Sequence, residues 1–353
     1  MDLNTIWFVL VGVLIAGYAV LDGFDLGVGA LSLLARSKEE RDLHVAAIAP
    51  VWDGNEVWLL TGGGALFAAF PVVYATVFSG FYLALVLLLV ALIARAVSME
   101  FRQVISDARW VRAWDWAFGL GSLLPAILLG VAVGNVLRGL PTAPDGSFAV
   151  TFLGLLNPYA ILVGLVSCAF FVMHGALYLR LKVDGELAER MGRYASRAFI
   201  AFLALYVAAT AATIVVAPYL FQKTGSSLFW ALSALVAASV GAIPLLTRRS
   251  PLGAFMASSA SIVFMILVAA SSAYPALVPA RDPSGAFSPE RTLTIYNASS
   301  TPATLTTMLV IALLGMPLVV AYTAVIYRVF KGKVPPGAGY GVAAPPRPTR
   351  AAA

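Results

Sequence analysis

VWLLTGGGALFAAFPVVYATVFSGFYLALVLLLVALIA, residues 57–94, contains no Asp, Glu, Lys or Arg. About 20 apolar residues suffice for a helix that crosses a hydrocarbon core, so the stretch is too long for one span and too apolar for a water-facing surface. Phe70-Pro71 interrupts it, and a tight hairpin is read there, because proline cannot continue the hydrogen-bonding of the preceding turn. Two membrane helices joined so closely indicate an all-α integral membrane protein.

The same ruler extends along the chain. Charge-free stretches also run over 3–21, 116–137, 146–179, 198–222, 224–247, 250–280 and 292–327. Together they predict nine transmembrane helices, at about 5–35, 47–70, 73–98, 113–137, 155–180, 194–220, 226–247, 252–278 and 304–329. Composition agrees: 61% of residues are hydrophobic and 11% charged, against roughly 25% charged in a soluble domain. Mean hydropathy is +0.90. The N-terminal MDLNT carries an acid and no Lys or Arg, so no cleavable signal peptide is expected and the first helix is expected to persist. No internal repeat or boundary is apparent. Residues 1–334 are therefore expected to form a single transmembrane helical domain, and the Pro/Gly/Ala-rich residues 335–353 a disordered cytoplasmic tail.

With nine spans the termini lie on opposite sides, and alternate loops can be compared for basic residues. Of the 23 Lys and Arg, 19 fall in one set of loops, around 36–41, 95–112, 180–197 and 248–249 and after 328. Only Arg138, Lys223, Arg281 and Arg291 fall in the other. The positive-inside rule then puts the N-terminus outside and the C-terminus in the cytoplasm. The net charge of +6 reports that topology, and no nucleic-acid partner is expected. The single cysteine, Cys168, lies in an apolar run and offers neither a disulfide framework nor a thiolate metal cluster.

Carboxylates at lipid depth are the candidate functional groups. VLDGFDLGVG, residues 20–29, carries Asp22 and Asp25; PVWDGNEVW, residues 50–58, carries Asp53 and Glu56. At about 1.5 Å per residue, Asp22 and Asp25 lie about 25–30 Å below the outer surface, and Asp53 and Glu56 about 9–14 Å in from the cytoplasmic one. Both pairs have the i, i+3 spacing that sets side chains on one helix face. Arg95 and Glu100, where the third helix exits, complete a cytoplasmic-side band. A charge near the centre of a membrane helix costs roughly 2.5–3.5 kcal/mol on insertion scales, so such groups face the bundle interior and either pair or carry ions. A proton or ion route is the functional reading; a structural network, with Asp25 or Glu100 paired to Arg95, is the plainer one. Gly23, Gly27 and Gly29, and Gly62 to Gly64, are read as allowing close helix packing, since no strand precedes them to make a phosphate loop.

Ligands for a cofactor are scarce. His44 is read as a solvated loop residue and His174, in FFVMHGALYL, as a packed, hydrogen-bonded core histidine. A haem needs a His, Met or Cys ligand, and the eight methionines are scattered through apolar helices as filler. No Walker, HExxH, CxxC or nucleophile-elbow pattern occurs. No metal and no directly bound cofactor is expected in this chain.

Several segments resemble a known family. GYAVLDGFDLGVG (17–29), IAPVWDGNEVWLLTGGGALFAAFP (48–71), FSGFYLAL (78–85), WDWAFGLGSLLPAILLGVAVGN (114–135), LLNPYAILVG (155–164) and HGALYL (174–179) are similar to subunit II of the cytochrome bd-type quinol oxidases, and the similarity runs to about Val334. The resemblance implies two four-helix bundles plus one peripheral helix. It also implies a heterodimer with a larger subunit I of related fold, which holds haems b and d, oxidises quinol and reduces dioxygen to water in the bacterial cytoplasmic (inner) membrane. Small single-helix subunits and a quinone or lipid in a groove are further features of the family. Subunit II would then support assembly and deliver protons from the cytoplasm. The family's polar positions match Asp22, Asp25, Asp53, Glu100 and Arg95, and Glu56 falls where some members carry Gln. Asp53 is the expected entry residue, with Asp22 and Asp25 as relay residues toward the subunit interface. The alternative from another class is a proton-coupled secondary transporter, which inverted repeats would favour.

Overall fold

The computed structural model describes residues 2–335 and 337, and the fold is all-helical apart from short strands in two loops. The helices are α1 (Leu3–Ser32), α2 (Lys38–Ile48), α3 (Trp52–Ala69), α4 (Pro71–Gly80), α5 (Tyr82–Phe101), α6 (Ala108–Arg138), α7 (Phe152–Leu155), α8 (Pro158–Lys182), α9 (Gly185–Val216), α10 (Ser227–Arg249), α11 (Pro251–Ala273) and α12 (Pro302–Val329). Among the described residues eight of these, α1, α5, α6 and α8 to α12, are long and apolar enough to cross a membrane. The chain is a multi-pass membrane protein.

The helix starts follow local chemistry. Asn157-Pro158, Ser250-Pro251 and Thr301-Pro302 each place a capping side chain just before a proline at the first helical position. Asn157 accepts from the Ala160 N–H at 3.0 Å, Ser250 from Gly253 at 3.0 Å and Thr301 from Thr304 at 3.3 Å. Proline sacrifices no bond there, because the first N–H of a helix has no intrahelical acceptor.

Several boundaries differ from expectation. Residues 47–51 do not begin the second span: α3 starts at Trp52 and has 18 residues, about 27 Å of helix. With Asp53 and Glu56 in that length it is not among the eight spans, so the ninth span is not established on length and composition. The expected helix over 73–98 is divided at Phe81 into α4 and α5. Residues 276–278, expected at the end of a span, form strand β2. The expected tail, 335–353, lies almost wholly outside the described residues.

The two longer loops at one end of the bundle are bound to each other. Strand β1 (Leu140–Pro141) pairs in parallel with β3 (Ala280–Arg281), and β2 (Ala276–Val278) pairs antiparallel with β4 (Leu293–Thr294). Arg281 donates to the Arg138 carbonyl at 2.8 Å, Arg291 to the Ala143 carbonyl at 2.8 Å, and Lys223 to the Ser271 carbonyl at 2.9 Å. Three of the four bases at this end therefore bind backbone carbonyls, those of Arg138 and Ser271 at the ends of α6 and α11 and that of Ala143 in a loop.

Glycines close the bundle core. A Cβ on Gly27 would lie 1.9 Å from the Phe171 carbonyl oxygen, and one on Gly175 2.5 Å from the Gly27 backbone, so α1 and α8 touch through their main chains. On Gly29 it would meet Ser122 of α6 at 1.9 Å, and on Gly23 the Phe171 ring at 2.6 Å. Small residues permit such approach where lipid supplies no hydrophobic drive for association. The reading fails for Gly63 and Gly64, which have open space within 4 Å, while Gly62 makes only an ordinary contact with Leu14 at 3.7 Å.

The loop read between the first two spans is itself a helix, α2, capped by Ser37, which accepts from the Glu40 N–H at 3.2 Å. Its acids bind it to other helices: Asp42 pairs with Arg102 after α5, and Glu40 with Arg190 of α9. The turn buries His44 completely, contrary to the solvated position expected. His44 Nδ1–H donates to the Glu40 carbonyl at 2.7 Å. Burial pushes the imidazole down from 6.5 to about 4, although the Glu40 carbonyl opposes the shift. The folded state therefore holds His44 neutral, and stability from it is present above the unfolded value of 6.5 and lost as pH falls toward about 4. The loss is worth about 3 kcal/mol at most. Thermal unfolding of the detergent-purified protein should weaken between pH 7 and pH 5 by clearly more than that of a His44→Gln variant; equal weakening would contradict the burial of a neutral imidazole.

Candidate functional site

The packing of α1 determines where its acids go. Gly23, Gly27 and Gly29 draw the second half of the helix into the bundle, and Asp22 and Asp25, on the same turn, go with it. Both are fully buried. Facing them are Asn55 and Glu56 of α3, Arg95 of α5 and Tyr327 of α12.

Arg95 has no exposed surface, and its Nη2 donates to Asp22 Oδ1 at 2.6 Å. The same nitrogen is 3.5 Å from Glu56 Oε2. Gly121 of α6 seals this side: a Cβ there would lie 2.7 Å from the Ala91 carbonyl oxygen and 2.8 Å from the Arg95 nitrogen. Ser98 donates to the Arg95 carbonyl at 2.5 Å. Arg95 Nε and Nη1 find no protein partner.

Asp25 belongs to a second chain of bonds. Asn55 Nδ2 donates to Asp25 Oδ2 at 2.7 Å, and the Tyr327 hydroxyl donates to Asn55 Oδ1 at 2.9 Å. This fixes the orientation of the amide, with its nitrogen toward the carboxylate and its oxygen toward the phenol. Asp25 Oδ1 has no protein partner. One guanidinium thus stands among three carboxyl groups, and charge balance leaves room in the cluster for protons.

The expected band separates by depth. The carboxylate on Arg95 is Asp22, not Asp25 or Glu100. The Glu56 side chain is 22% exposed and forms the rim of the cluster. Asp53, one turn earlier on α3, is exposed and so is Glu100; neither lies inside the buried cluster. Asn55 and Tyr327 were not among the expected residues. Asn55 sits between the two acids of WDGNEVW, a position from which a buried amide could have been suspected. Tyr327 lies 272 residues away at a helix end where aromatic residues are ordinary, so nothing local marks it.

The two histidines differ in how their ring nitrogens are used. His174 is fully buried, with Nδ1 2.7 Å from Ser258 Oγ and Nε2 3.0 Å from the Val20 carbonyl, and it stacks on Phe255. Both ring nitrogens are engaged by the chain, as the reading of a packed histidine requires. His44 Nδ1 is held by the Glu40 carbonyl in α2. His174 therefore has no ring nitrogen left for axial ligation of a haem, whereas His44 Nε2 is buried without a protein partner.

Comparison with known proteins gives concordant matches. The family model for cytochrome bd terminal oxidase subunit II matches residues 3–330. Cytochrome bd-I ubiquinol oxidase subunit 2 of Escherichia coli is 35% identical over 366 residues, covering 94% of this chain and 95% of that protein. Cytochrome bd ubiquinol oxidase subunit 2 of Bacillus subtilis is 33% identical over 335 residues, covering 94% and 97%. In fold, the chain matches one in the bd oxidase structure from Geobacillus thermodenitrificans with a TM-score of 0.73 at 19% identity, over 94% of this chain and 99% of that one.

The buried pair can be tested by a double-mutant cycle. Removing one partner of a buried ion pair leaves the other charge uncompensated, at a cost of about 3–5 kcal/mol. Arg95→Gln and Asp22→Asn should each lower the thermal midpoint strongly, and the double variant should recover a large part of the loss. Additive losses would mean that the two side chains are not coupled.

Proposed function

Because the chain belongs to the cytochrome bd terminal oxidase subunit II family, we propose that its task within the quinol oxidase complex is to pass protons from the cytoplasm toward the haem-bearing larger subunit, subunit I. The single observation that carries this reading is the graded series of acids. Exposed Asp53 stands one helical turn from partly exposed Glu56, which borders the sealed Arg95–Asp22 pair, beyond which lies Asp25.

In this mechanism Asp53 takes a proton from the cytoplasmic water and Glu56 receives it at the rim. Arg95 holds Asp22 and Glu56 within reach of one another and supplies the positive charge that lets carboxylates reside at this depth. Asp25 is the inner acceptor, held by the Asn55 amide, whose orientation Tyr327 maintains. Glu100, at the exposed end of α5, adds negative charge at the same mouth. The chemistry of the complex, reduction of dioxygen with electrons from quinol, belongs to groups in subunit I, where haems b and d are expected. This chain serves as a subunit of an oxidoreductase.

The topology is part of the proposal. We read α3 as the ninth span, residues 1–334 as one transmembrane unit in the bacterial cytoplasmic membrane, the N-terminus as external and the C-terminus as cytoplasmic. The distribution of 19 of 23 basic residues supports that orientation. We divide the helices into two four-helix groups, α1, α3, α5 and α6 and then α8 to α11, which meet through extensive contacts of α8 with α6 and α1, with α12 peripheral against α1 and α3. A stand-alone transporter is not favoured by a family match over residues 3–330.

Asp53→Asn in the intact complex should lower quinol-oxidase turnover and cytoplasmic proton uptake together, by about tenfold or more, as loss of a proton-transfer group does. Asp25→Asn should do the same with the complex still assembled. Unchanged turnover and uptake in both variants would leave the acids a purely structural role.

A further inference from the structure

We propose that the cleft between the end of α1, the start of α2 and the start of α6 is a binding site for an anionic phospholipid, with its phosphate headgroup inside and an acyl chain along α6. The cleft has a volume of about 620 Å³ and is lined by Lys38, Arg41 and Arg112, by Ser106, and by Asp115 and Trp116. It lies at the end of the bundle where α1 and α6 leave the apolar layer, a depth at which a headgroup and not a tail is found.

The charges in the cleft are unbalanced. Its single acid, Asp115, is occupied: Arg102 donates to it at 2.5 Å, and Arg41 stands 3.7 Å away on the other oxygen. Arg102 also holds Asp42, so this guanidinium and the two acids form one network of their own. Lys38 and Arg112 are exposed and have no ion pair among the described residues. Two cations, with a third only partly compensated, thus face a space large enough for a phosphodiester headgroup. Basic pockets between membrane helices at this level select anionic headgroups.

The apolar side of the site argues for a lipid over a free anion. Trp116, at the mouth, is 54% exposed, and Leu120 and Leu124, at successive four-residue steps along α6, are 41% and 46% exposed. That spacing sets the three on one helix face, running from the cleft into the hydrocarbon layer. An indole at the junction is the usual interfacial anchor. Basic headgroup contacts, a tryptophan and an unbroken apolar track are therefore stacked in the order of the parts of a phospholipid. The proposal requires only that α1 and α6 cross the membrane, and is independent of any role of the buried acids.

The test uses the purified complex, delipidated and then supplied with phosphatidylglycerol, with phosphatidylcholine or with inorganic phosphate, with retained lipid counted by native mass spectrometry. One phosphatidylglycerol should be retained in preference to phosphatidylcholine. Each cation near the surface contributes about fivefold, so Lys38→Gln with Arg112→Gln should reduce that preference about 25-fold, with the thermal midpoint unchanged. Lys38→Arg should keep it. Trp116→Ala should weaken phosphatidylglycerol without creating a preference for phosphate. Equal retention in the parent and in the double glutamine variant would overturn the site, and displacement of phosphatidylglycerol by inorganic phosphate would overturn its assignment to a lipid.

Discussion

A guanidinium inside a membrane bundle cannot lose its proton and cannot reach water, so the chain around Arg95 has to supply its counter-charges. That requirement ties three helices to α5. Asp22 fixes the rotation of α1, Glu56 fixes that of α3, and Gly121 permits α6 to close against the backbone of α5 at Arg95 itself. The glycines of α1 and the acids of α1 are then two aspects of one constraint: Gly29 shares the face of Asp22 and meets α6, while Gly23 and Gly27 leave the adjoining face bare enough to touch α8. Lengthening any of these small residues would push the counter-ion away from its cation.

Much of the architecture was legible because lipid imposes a simple rule. Spans could be read wherever charge was missing, and Asn157-Pro158, Ser250-Pro251 and Thr301-Pro302 mark three of their beginnings. The i, i+3 spacing of Asp22 and Asp25 correctly indicated a buried face. What escaped had weaker local signals. The segment 38–48 is rich in charge, and its order comes from tertiary ion pairs to Arg102 and Arg190, so it passed for a loop and His44 for a solvated residue. The break at Phe81 has no proline to announce it. Asp53 and Glu100 share the level of the other acids but face outward from this chain, and rotation about a helix axis is what a depth argument leaves out. Asn55 and Tyr327 are joined only by the fold.

The two ends of the bundle are held by different means. At the more basic end, Arg102 and Arg190 tie α2 to its neighbours through Asp42, Asp115 and Glu40. At the other, two short strand pairs and bases directed at carbonyl oxygens join the loops after α6 and α11. Carboxylates with cations to spare at one end, and cations spent on backbone at the other, leave a surplus of positive charge on a single side. That asymmetry is the physical content of the loop count.

The helix α12 has no buried residue in its most apolar segment, yet it carries the phenol that orients Asn55. Its hold on the rest is slight, with Trp7 donating to the Leu305 carbonyl at 3.0 Å near one end and Tyr327 donating to Asn55 at the other. A ribosome makes this segment after Asp22, Asp25, Asn55, Glu56 and Arg95, so every other part of the polar centre is synthesised before its final hydrogen bond can form. A nascent chain stalled before residue 302 would hold Asp25 and Asn55 without their outermost partner, so completion of translation is written into the geometry of the site.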